Sequence, residues 1–153
     1  MKASDKLKSL NITLPKAPKP VGAYVAYKKV GKIIYISGQL PIDSKGNITK
    51  GKIGSNLTLE DGQKAAYLCT LNILSQIKES CEGNIDKVKN CVKITGYVNS
   101  IDEFKEQPKV INPASELLKD VFAESGKHTR AAVSVNSLPL GAAVEIDAIF
   151  EIN

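Results

Sequence analysis

The chain has 153 residues, of which 42% are hydrophobic and 24% are charged. This length and composition fit one globular domain with a real core, and they exclude a disordered or low-complexity chain. The formal net charge is +5 and comes from lysines spread over the whole chain, while aromatic residues make up 5% and tryptophan is absent. A nucleic-acid-binding surface usually clusters its basic residues among arginines and aromatics, so this composition disfavours nucleic-acid binding.

The N-terminal sequence MKASDKLKSLNITL lacks the continuous apolar stretch and the cleavage site of a secretory signal. No apolar run approaches the roughly 18 residues that span a bilayer. Three cysteines, Cys69, Cys81 and Cys91, form no CxxC pair and are odd in number, which favours reduced thiols. We therefore predict a cytoplasmic protein. We expect no metal site, because one histidine and three scattered cysteines do not form a ligand set.

The first twenty residues end in PKAPKP, and proline-rich sequence of this kind is extended rather than helical. We predict an extended N-terminal arm over residues 1–20 and a single domain over residues 21–153. At the start of that domain, AYVAYKK and KIIYISGQL are β-prone runs joined by a short turn at Gly31. This spacing predicts a β-hairpin.

Two helices are predicted from their start and stop signals. Thr58 opens a capping-box pattern ahead of an apolar stripe, and Gly83 supplies a C-terminal stop. Asn112 and Pro113 match an N-cap followed by proline at the first helical position, so the second helix is predicted to begin there. We expect that helix to end at Gly126.

Three further segments alternate apolar and polar residues, as half-buried strands do. The first, VKNCVKITGYVN, is predicted to bury one row of side chains: Val88, Val92, Ile94 and Val98. The other two, AAVSVNSL and AVEIDAIFEI, are separated by the turn-forming sequence PLGA. They are predicted to close the chain as an antiparallel hairpin.

The resulting order is β-β-α-β-α-β-β, which predicts an α+β domain with two helices on one face of a mostly antiparallel sheet. The last strand has five apolar side chains that face one way: Val144, Ile146, Ala148, Phe150 and Ile152. In the first hairpin, Ile33 and Tyr35 oppose Ile34 and Ile36, so both faces of the sheet carry apolar residues. A sheet of this kind with helices on only one face predicts self-association.

Arg130 is the only arginine in the chain, whereas lysine occurs twenty times. A guanidinium differs from an ammonium because its planar fork can hold a carboxylate by two parallel bonds, and it stays charged when partly desolvated. A lysine-biased chain has a physical reason to keep arginine where that fork is needed. Arg130 is therefore a candidate for binding a small carboxylate, and the alternative is a structural ion pair with an interior or interface carboxylate.

Glu145 lies on the predicted closing hairpin, several residue pairs away from Arg130. The two side chains need not form an ion pair and could instead flank a small ligand; the alternative for Glu145 is a solvated strand position.

Ser37 and Gly38 end a strand, where a glycine lets another backbone or a ligand come close. Tyr24 is either near this site or an aromatic residue on the sheet surface. His128 has no acidic or nucleophilic companion in sequence, and we interpret it as a loop or strand-edge histidine.

Three motifs follow one another along the chain: VGAYVAY, then IIYISGQLPID, then HTRAAVSVNSLPLGAAVEIDA. In this order they resemble the YjgF-type reactive-intermediate deaminases, the Rid or L-PSP family, over nearly the whole chain after the arm. The resemblance implies a chorismate-mutase-like α+β fold. It also implies a homotrimer whose sheets form a central barrel, with a ligand cleft at each subunit interface.

The activity implied by this resemblance is hydrolysis of reactive enamines and imines of the 2-aminoacrylate type to 2-keto acids and ammonia, with no cofactor. The substrate would be a small imino acid. The family arginine that grips its carboxylate falls on Arg130, and the acidic residue that positions the attacking water falls on Glu145. The tyrosine and serine that line the cleft fall on Tyr24 and Ser37, and a recurrent asparagine falls on Asn112.

Backbone groups around Gly38 and Ala132 would bind the nitrogen end of the substrate; many members have cysteine where this chain has Ala132. Three alternatives stay open at this point: a non-catalytic binder of small keto acids, a ribonuclease or translation inhibitor, and a chaperone-like or structural trimer. Ribonuclease chemistry usually needs an acid–base pair near a phosphate site, whereas this chain offers one histidine and dispersed lysines.

Overall fold

The computed structural model describes residues 1–153, the whole chain. It contains three helices and five strands. The helices are α1 (Ala3–Ser9), α2 (Leu59–Ser80) and α3 (Gln107–Phe122). The strands are β1 (Tyr27–Val30), β2 (Ile33–Gln39), β3 (Val88–Asn99), β4 (Thr129–Val135) and β5 (Val144–Ile152). None of the helices combines the length and the apolar character needed to cross a membrane.

The five strands form one sheet in the order β1-β2-β5-β3-β4. All neighbours are antiparallel except β3 and β4, which are parallel. The predicted α+β class is confirmed, and so is the hairpin of β1 and β2. The predicted closing hairpin is wrong, because β3 lies between β4 and β5. Helix α3 carries the chain back from β3 so that β4 runs parallel to it, as a β-α-β connection requires.

Helices α2 and α3 pack on one face of the sheet and enclose the core. The predicted alternation of β5 is confirmed, since every second residue from Val144 to Ile152 is buried. Phe150 contacts Phe122 of α3 edge to face, with ring centroids 6.0 Å apart. The largest fully buried side chains include Ile34, Ile73, Ile94, Ile111, Leu118 and Ile146.

Strand β3 departs from the predicted alternation. Two register shifts against β5, between Val88 and Asn90 and between Cys91 and Lys93, change which side chains face the helices. Cys91 is buried, whereas Val92 is 41% exposed. Such irregularities cannot be read from a period of two, which is why the position of Val92 was wrongly predicted.

The capping box at the start of α2 is confirmed. The Thr58 hydroxyl accepts from the Asp61 backbone N–H at 3.1 Å, and the Asp61 carboxylate accepts from the Thr58 N–H at 2.9 Å. The helix ends at Ser80, just ahead of Gly83, whose φ of 83° is in the region that favours glycine.

Helix α3 begins six residues before the predicted start, at Gln107 instead of Pro113. Pro108, not Pro113, occupies the first turn, and Pro113 lies inside the helix. A proline in that position has no N–H for the carbonyl four residues earlier. That carbonyl, of Lys109, instead accepts a hydrogen bond from Gln63 Nε2 of α2 at 2.9 Å. The helix ends at Phe122, and a 3₁₀ turn follows it as far as Gly126.

The N-terminal arm is not extended throughout, because residues 3–9 form α1. The Asp86 carboxylate accepts from the Ser4 backbone N–H at 2.9 Å and from its hydroxyl at 2.8 Å, which places a negative charge at the helix N-terminus. Leu7 is buried in the core. The prolines begin at Pro15 and disfavour a helix only after this segment. The prediction wrongly extended their effect to residues 3–9. The division of the chain at residue 20 stays a prediction.

No helix covers the other face of the sheet, which we call the open face. The register of β2, β5, β3 and β4 places these side chains on it: Tyr35, Thr95, Tyr97, Val133, Glu145, Asp147 and Ile149. Tyr35 is 49% exposed and Val133 is 43% exposed. Both faces of the sheet therefore carry apolar side chains, as predicted, and self-association through the open face stays a prediction.

Candidate functional site

A cavity of about 770 Å³ lies over the β2 and β5 part of the open face. We call it the cleft. Residues 18–26 form one wall, and the turn before β5 reaches the other with Pro139 and Leu140. Four of the predicted site residues line it: Tyr24, Ser37, Gly38 and Glu145.

Hydrogen bonds at the end of β2 hold the wall of residues 18–26 in place. The Ser37 hydroxyl donates to the Val25 carbonyl at 2.7 Å, and the Ser37 N–H donates to the Ala26 carbonyl at 2.9 Å. The Tyr24 hydroxyl accepts from the Val21 N–H at 3.2 Å. Ser37 therefore acts in this structure by fixing the segment that carries Tyr24 beside the cleft.

A buried amide pair, which the sequence analysis missed, supports this wall from below. Gln76 of α2 donates through Nε2 to the Pro18 carbonyl at 2.7 Å and to Gln39 Oε1 at 3.3 Å. Gln39 Nε2 donates to the Ser37 carbonyl at 3.0 Å. A glutamine within the apolar stripe of α2 was the available signal, because a buried amide needs a specific partner.

Glu145 lies across Gly38. A β-carbon at position 38 would overlap Oε1 of Glu145 and would come within 2.8 Å of its Cδ. Such distances are not compatible with a side chain there, so Gly38 is needed for Glu145 to occupy this position. The glycine thus permits a close approach, as predicted, and the approaching group is the chain's own carboxylate.

The surroundings of Glu145 favour its protonated form. Burial raises the pKa of this carboxyl above its usual 4.5, and the nearby Asp147 carboxylate raises it further. None of the four ion pairs in the structure includes Glu145. Asp147 instead has a partner, since it accepts a hydrogen bond from the Tyr97 hydroxyl at 3.1 Å. A half-buried carboxyl without a cation beside it has the character of a general base.

Arg130 lies outside the cleft, on β4. Its guanidinium donates to three neutral acceptors of α3: Asn112 Oδ1 at 2.8 Å, Ser115 Oγ at 3.1 Å and the Pro108 carbonyl at 3.2 Å. No ion pair in the structure includes Arg130. The alternative of a structural ion pair within the chain is therefore wrong, and the guanidinium has no carboxylate partner.

A shallow pocket of about 340 Å³, which we call the arginine pocket, surrounds this side chain. It is lined by Asn112, Ser115, Lys119, Gly126, Lys127, His128 and Arg130. His128 directly precedes β4, as predicted for a strand-edge histidine, and its Nε2 lies 2.8 Å from the hydroxyl of Ser115, a residue distant in sequence. Asn112, predicted as an N-cap, is inside α3 and contacts Arg130. These contacts join residues that are distant in sequence, so no local pattern could show them.

Arg130 and Ala132 are on the face of the sheet that packs against the helices, unlike Glu145. Arg130 is paired with Ile94, whose side chain is buried under the helices, and Ala132 packs against the same core. Glu145 is paired with Tyr97 on the open face. The structure therefore brings Tyr24, Ser37, Gly38 and Glu145 together and places Arg130 and Ala132 elsewhere. No three His, Cys, Asp or Glu side chains come together to hold a metal ion.

Comparisons with known proteins agree with this architecture. The family model described as YjgF/chorismate mutase-like, putative endoribonuclease, matches residues 4–151. Protein TCP17 of Trypanosoma cruzi is 45% identical over 148 residues, which is 96% of this chain and 92% of that protein.

Among solved structures, the crystal structure of Atu1372, a protein of unknown function from Agrobacterium tumefaciens, superimposes with a TM-score of 0.90. Its sequence is 43% identical, and the match covers 99% of this chain and 94% of that one. A 2-iminobutanoate/2-iminopropanoate deaminase of Dermatophagoides farinae is 26% identical, with 90% of this chain and 92% of that protein covered. The fold and the extent of these matches show that the chain belongs to the YjgF/chorismate-mutase-like family.

Proposed function

We propose that this protein hydrolyses reactive 2-imino and enamine acids of the 2-aminoacrylate type to 2-keto acids and ammonia, without a cofactor. The observation that carries the proposal is Glu145, a half-buried carboxyl in the cleft with a raised pKa and no ion-pair partner. The relative from Dermatophagoides farinae, which is named as a deaminase of this kind, supports the reaction class.

Arg130 supplies the other half of the proposed site. Its fork is held by neutral acceptors, so its positive charge is available to a ligand. A guanidinium binds a carboxylate strongly and directionally, and every 2-imino or 2-keto acid has a carboxylate. In the proposed mechanism Arg130 fixes this end of the substrate and so sets where the reacting carbon lies.

The reaction needs one water molecule and no change in oxidation state. Glu145 orients the water and accepts one of its protons as the water oxygen bonds to C2 of the imino acid, and this proton passes to the nitrogen to give a carbinolamine. The hydroxyl proton of the carbinolamine then passes to the nitrogen through Glu145, the C2–N bond breaks, and ammonia leaves as the C2–O bond becomes a carbonyl. An enamine substrate first becomes the imine by taking a proton at C3. Imines hydrolyse readily in water, so positioning supplies much of the required acceleration.

The site requires a second copy of the chain. Arg130 and Glu145 are on opposite faces of one sheet, so a small acid cannot contact both within one subunit. We propose a homotrimer in which Arg130 of one subunit meets the cleft of the next. The open face supports this proposal, since it exposes Tyr35 and Val133 and has no helix to cover it.

The direct test is a coupled assay. An amino-acid oxidase generates an imino acid, and keto acid and ammonia are followed with and without this protein. We expect the protein to accelerate both, and we expect Glu145→Gln to remove the acceleration. Equal rates with and without the wild-type protein would refute the proposal. If pyruvate raised the melting temperature of a protein that showed no turnover, the binder alternative would replace it.

Subunit mixing tests the shared site. Arg130→Lys and Glu145→Gln chains are each expected to retain little activity alone at substrate concentrations near the wild-type KM, and they are unfolded and refolded together. A mixed trimer then contains one interface with both native residues, so about a quarter of wild-type activity should return by random assortment. If each site used both residues of one subunit, mixing would restore nothing.

A further inference from the structure

Ser115 lies between the only histidine and the only arginine of the chain. Its hydroxyl oxygen is 2.8 Å from His128 Nε2 and 3.1 Å from Arg130 Nη1. We propose that Ser115 and His128 are positioning residues, which hold the Arg130 guanidinium in one orientation for its ligand. The ligand part of this inference depends on the proposed function, whereas the positioning of Arg130 does not.

The hydrogen bonds fix where each proton lies when His128 is neutral. His128 Nδ1 is 2.6 Å from the Gly126 carbonyl, which can only accept, so Nδ1 carries the proton. In a neutral ring Nε2 is then an acceptor, and the Ser115 hydroxyl must donate to it. The lone pairs of that hydroxyl are left to accept from Arg130. The four groups thus form one series of hydrogen bonds, in which His128 donates to Gly126, Ser115 donates to His128, and Arg130 donates to Ser115.

Secondary structure places these groups on one side. Asn112 and Ser115 are three residues apart on α3 and therefore neighbours on its surface. His128 and Arg130 are two residues apart, so they face the same way along β4 and the residue before it. The Arg130 fork consequently meets α3 through both of its terminal nitrogens, Nη2 at Asn112 and at the Pro108 carbonyl, and Nη1 at Ser115. Only Ser115 holds Nη1, so its contact fixes the plane of the guanidinium while the Nη2 contacts fix its position.

The three groups that accept hydrogen bonds from Arg130 carry no charge, and this leaves the charge of the guanidinium uncompensated. A carboxylate at the Ser115 position would also hold the guanidinium, but it would neutralise the charge that a ligand must meet. A hydroxyl that donates to an imidazole orients the fork and leaves its charge available. The histidine matters because it turns the lone pairs of the hydroxyl towards Arg130.

Nuclear magnetic resonance can test this without any assay of turnover. With one arginine and one histidine, the side-chain ¹⁵N signals of both are assigned by composition. In the neutral ring, whose ¹⁵N shifts distinguish the two tautomers, we expect Nδ1 of His128 to be protonated and Nε2 to be bare. We also expect separate Nη signals for Arg130, because its rotation is slowed. The opposite tautomer, or freely averaged Nη signals in the wild-type protein, would overturn the proposal.

Variants separate positioning from a general structural role. Ser115→Ala should average the Arg130 Nη signals, and Ser115→Thr, which keeps the hydroxyl, should leave them separate. His128→Ala should have the effect of Ser115→Ala, while His128→Gln, with an acceptor near the Nε2 position, should retain part of the separation. Unaltered Arg130 signals in both alanine variants would refute the positioning role. If Ser115→Ala does not fold, His128→Ala decides the question.

Pyruvate, a 2-keto acid product, is the probe for the ligand. Ser115→Ala should weaken its binding about tenfold, the usual effect of losing one hydrogen bond to a charged group, with Ser44→Ala as the control in a distant loop. Failure of the wild-type protein to bind pyruvate would count against the proposed function, and the resonance experiment would still decide the positioning role. Undiminished binding in Ser115→Ala would show that the contact does not serve the ligand.

Discussion

The carboxylate of Glu145 occupies the place where a side chain on residue 38 would begin. Gly38→Ala therefore tests whether turnover depends on the exact position of the Glu145 carboxylate. The added methyl group should displace Glu145 and lower turnover at least tenfold, while the fold remains because position 38 lies at the end of a strand. Turnover of imino acid and circular dichroism measure the two effects.

A double-mutant cycle provides the control. In a Glu145→Ala background the added methyl group has nothing to displace, so Gly38→Ala should have little further effect on turnover. If the two substitutions instead multiplied their effects, Gly38 would serve some purpose other than the placement of Glu145.

Glu145→Gln should reduce turnover by roughly 10²- to 10⁴-fold, as the loss of a general base usually does. The wild-type rate should rise with pH as Glu145 ionises, with a midpoint above the usual pKa of 4.5, because burial and Asp147 disfavour the charged form. The remaining activity of Glu145→Gln should lack this rise. A pH–rate profile of both proteins is the measurement.

The same raised pKa predicts a difference in stability. Ionised Glu145 is disfavoured in the folded state, so the free energy of unfolding falls as pH rises through the pKa values of the unfolded and folded states. Glu145→Gln should therefore be more stable than the wild-type protein at neutral pH, and the difference should vanish well below pH 4.5, where both forms are neutral. Denaturant titrations of both proteins at neutral pH and well below pH 4.5 measure the two free energies of unfolding. A wild-type protein more stable than Glu145→Gln at neutral pH would contradict the prediction.

Arg130→Lys keeps a positive charge and removes the fork. Hydrogen bonds to charged groups contribute about 1.5–3 kcal/mol, so we expect KM to rise roughly 10- to 100-fold. The matched control is Lys64→Arg, which changes the same chemistry on the exposed side of α2 and should leave KM unchanged. An unchanged KM in Arg130→Lys would rule out the carboxylate contact.

The three thiols should be inert in the native protein. Burial raises the pKa of Cys91 to about 12, and it also raises the pKa values of Cys69 and Cys81. Because the thiolate is the reactive form, a thiol reagent at about pH 8 should label none of them until denaturant is added. Mass spectrometry of native and unfolded samples gives the count, and rapid labelling of the native protein would contradict the buried positions.

Thr58→Ala removes the hydrogen bond from the Asp61 N–H to the Thr58 hydroxyl. It leaves the bond from the Thr58 N–H to the Asp61 carboxylate without this reciprocal contact. Loss of such a cap costs about 1 kcal/mol in the free energy of unfolding. Thr13→Ala, an exposed threonine outside any helix, is the control and should change it little. A denaturant midpoint that moved equally in both variants would argue against the cap.

Local patterns predicted the parts of the fold that depend on neighbouring residues. The capping box of Thr58 and Asp61 needs only a spacing of three, and the burial of β5 needs only a period of two. The start of α3 failed because two prolines compete for the first turn, and the one chosen, Pro113, lies in the helix interior. Gln63 of α2 donates to the Lys109 carbonyl that Pro113 leaves without a helical partner. A rule based on neighbouring residues does not include such a contact with another helix.

The candidate site was predictable only in pieces. Motif resemblance selected Tyr24, Ser37, Gly38 and Glu145, which do share one cleft. The relation of Arg130 to Glu145 was wrongly inferred, because the insertion of β3 between β4 and β5 is a property of the whole sheet. The contact of Ser115 with His128 likewise depends on how α3 crosses the sheet, so sequence separation hides it.

Gln76 holds two parts of the cleft, the wall of residues 18–26 through the carbonyl of Pro18 and the end of β2 through Gln39. A shift of α2 along its axis would therefore move this wall and the end of β2 in the same direction and preserve the distance between them. The entrance to the cleft is in this way insulated from small rearrangements of the core, and substitutions among the helix residues behind it should alter stability well before they alter which molecules fit.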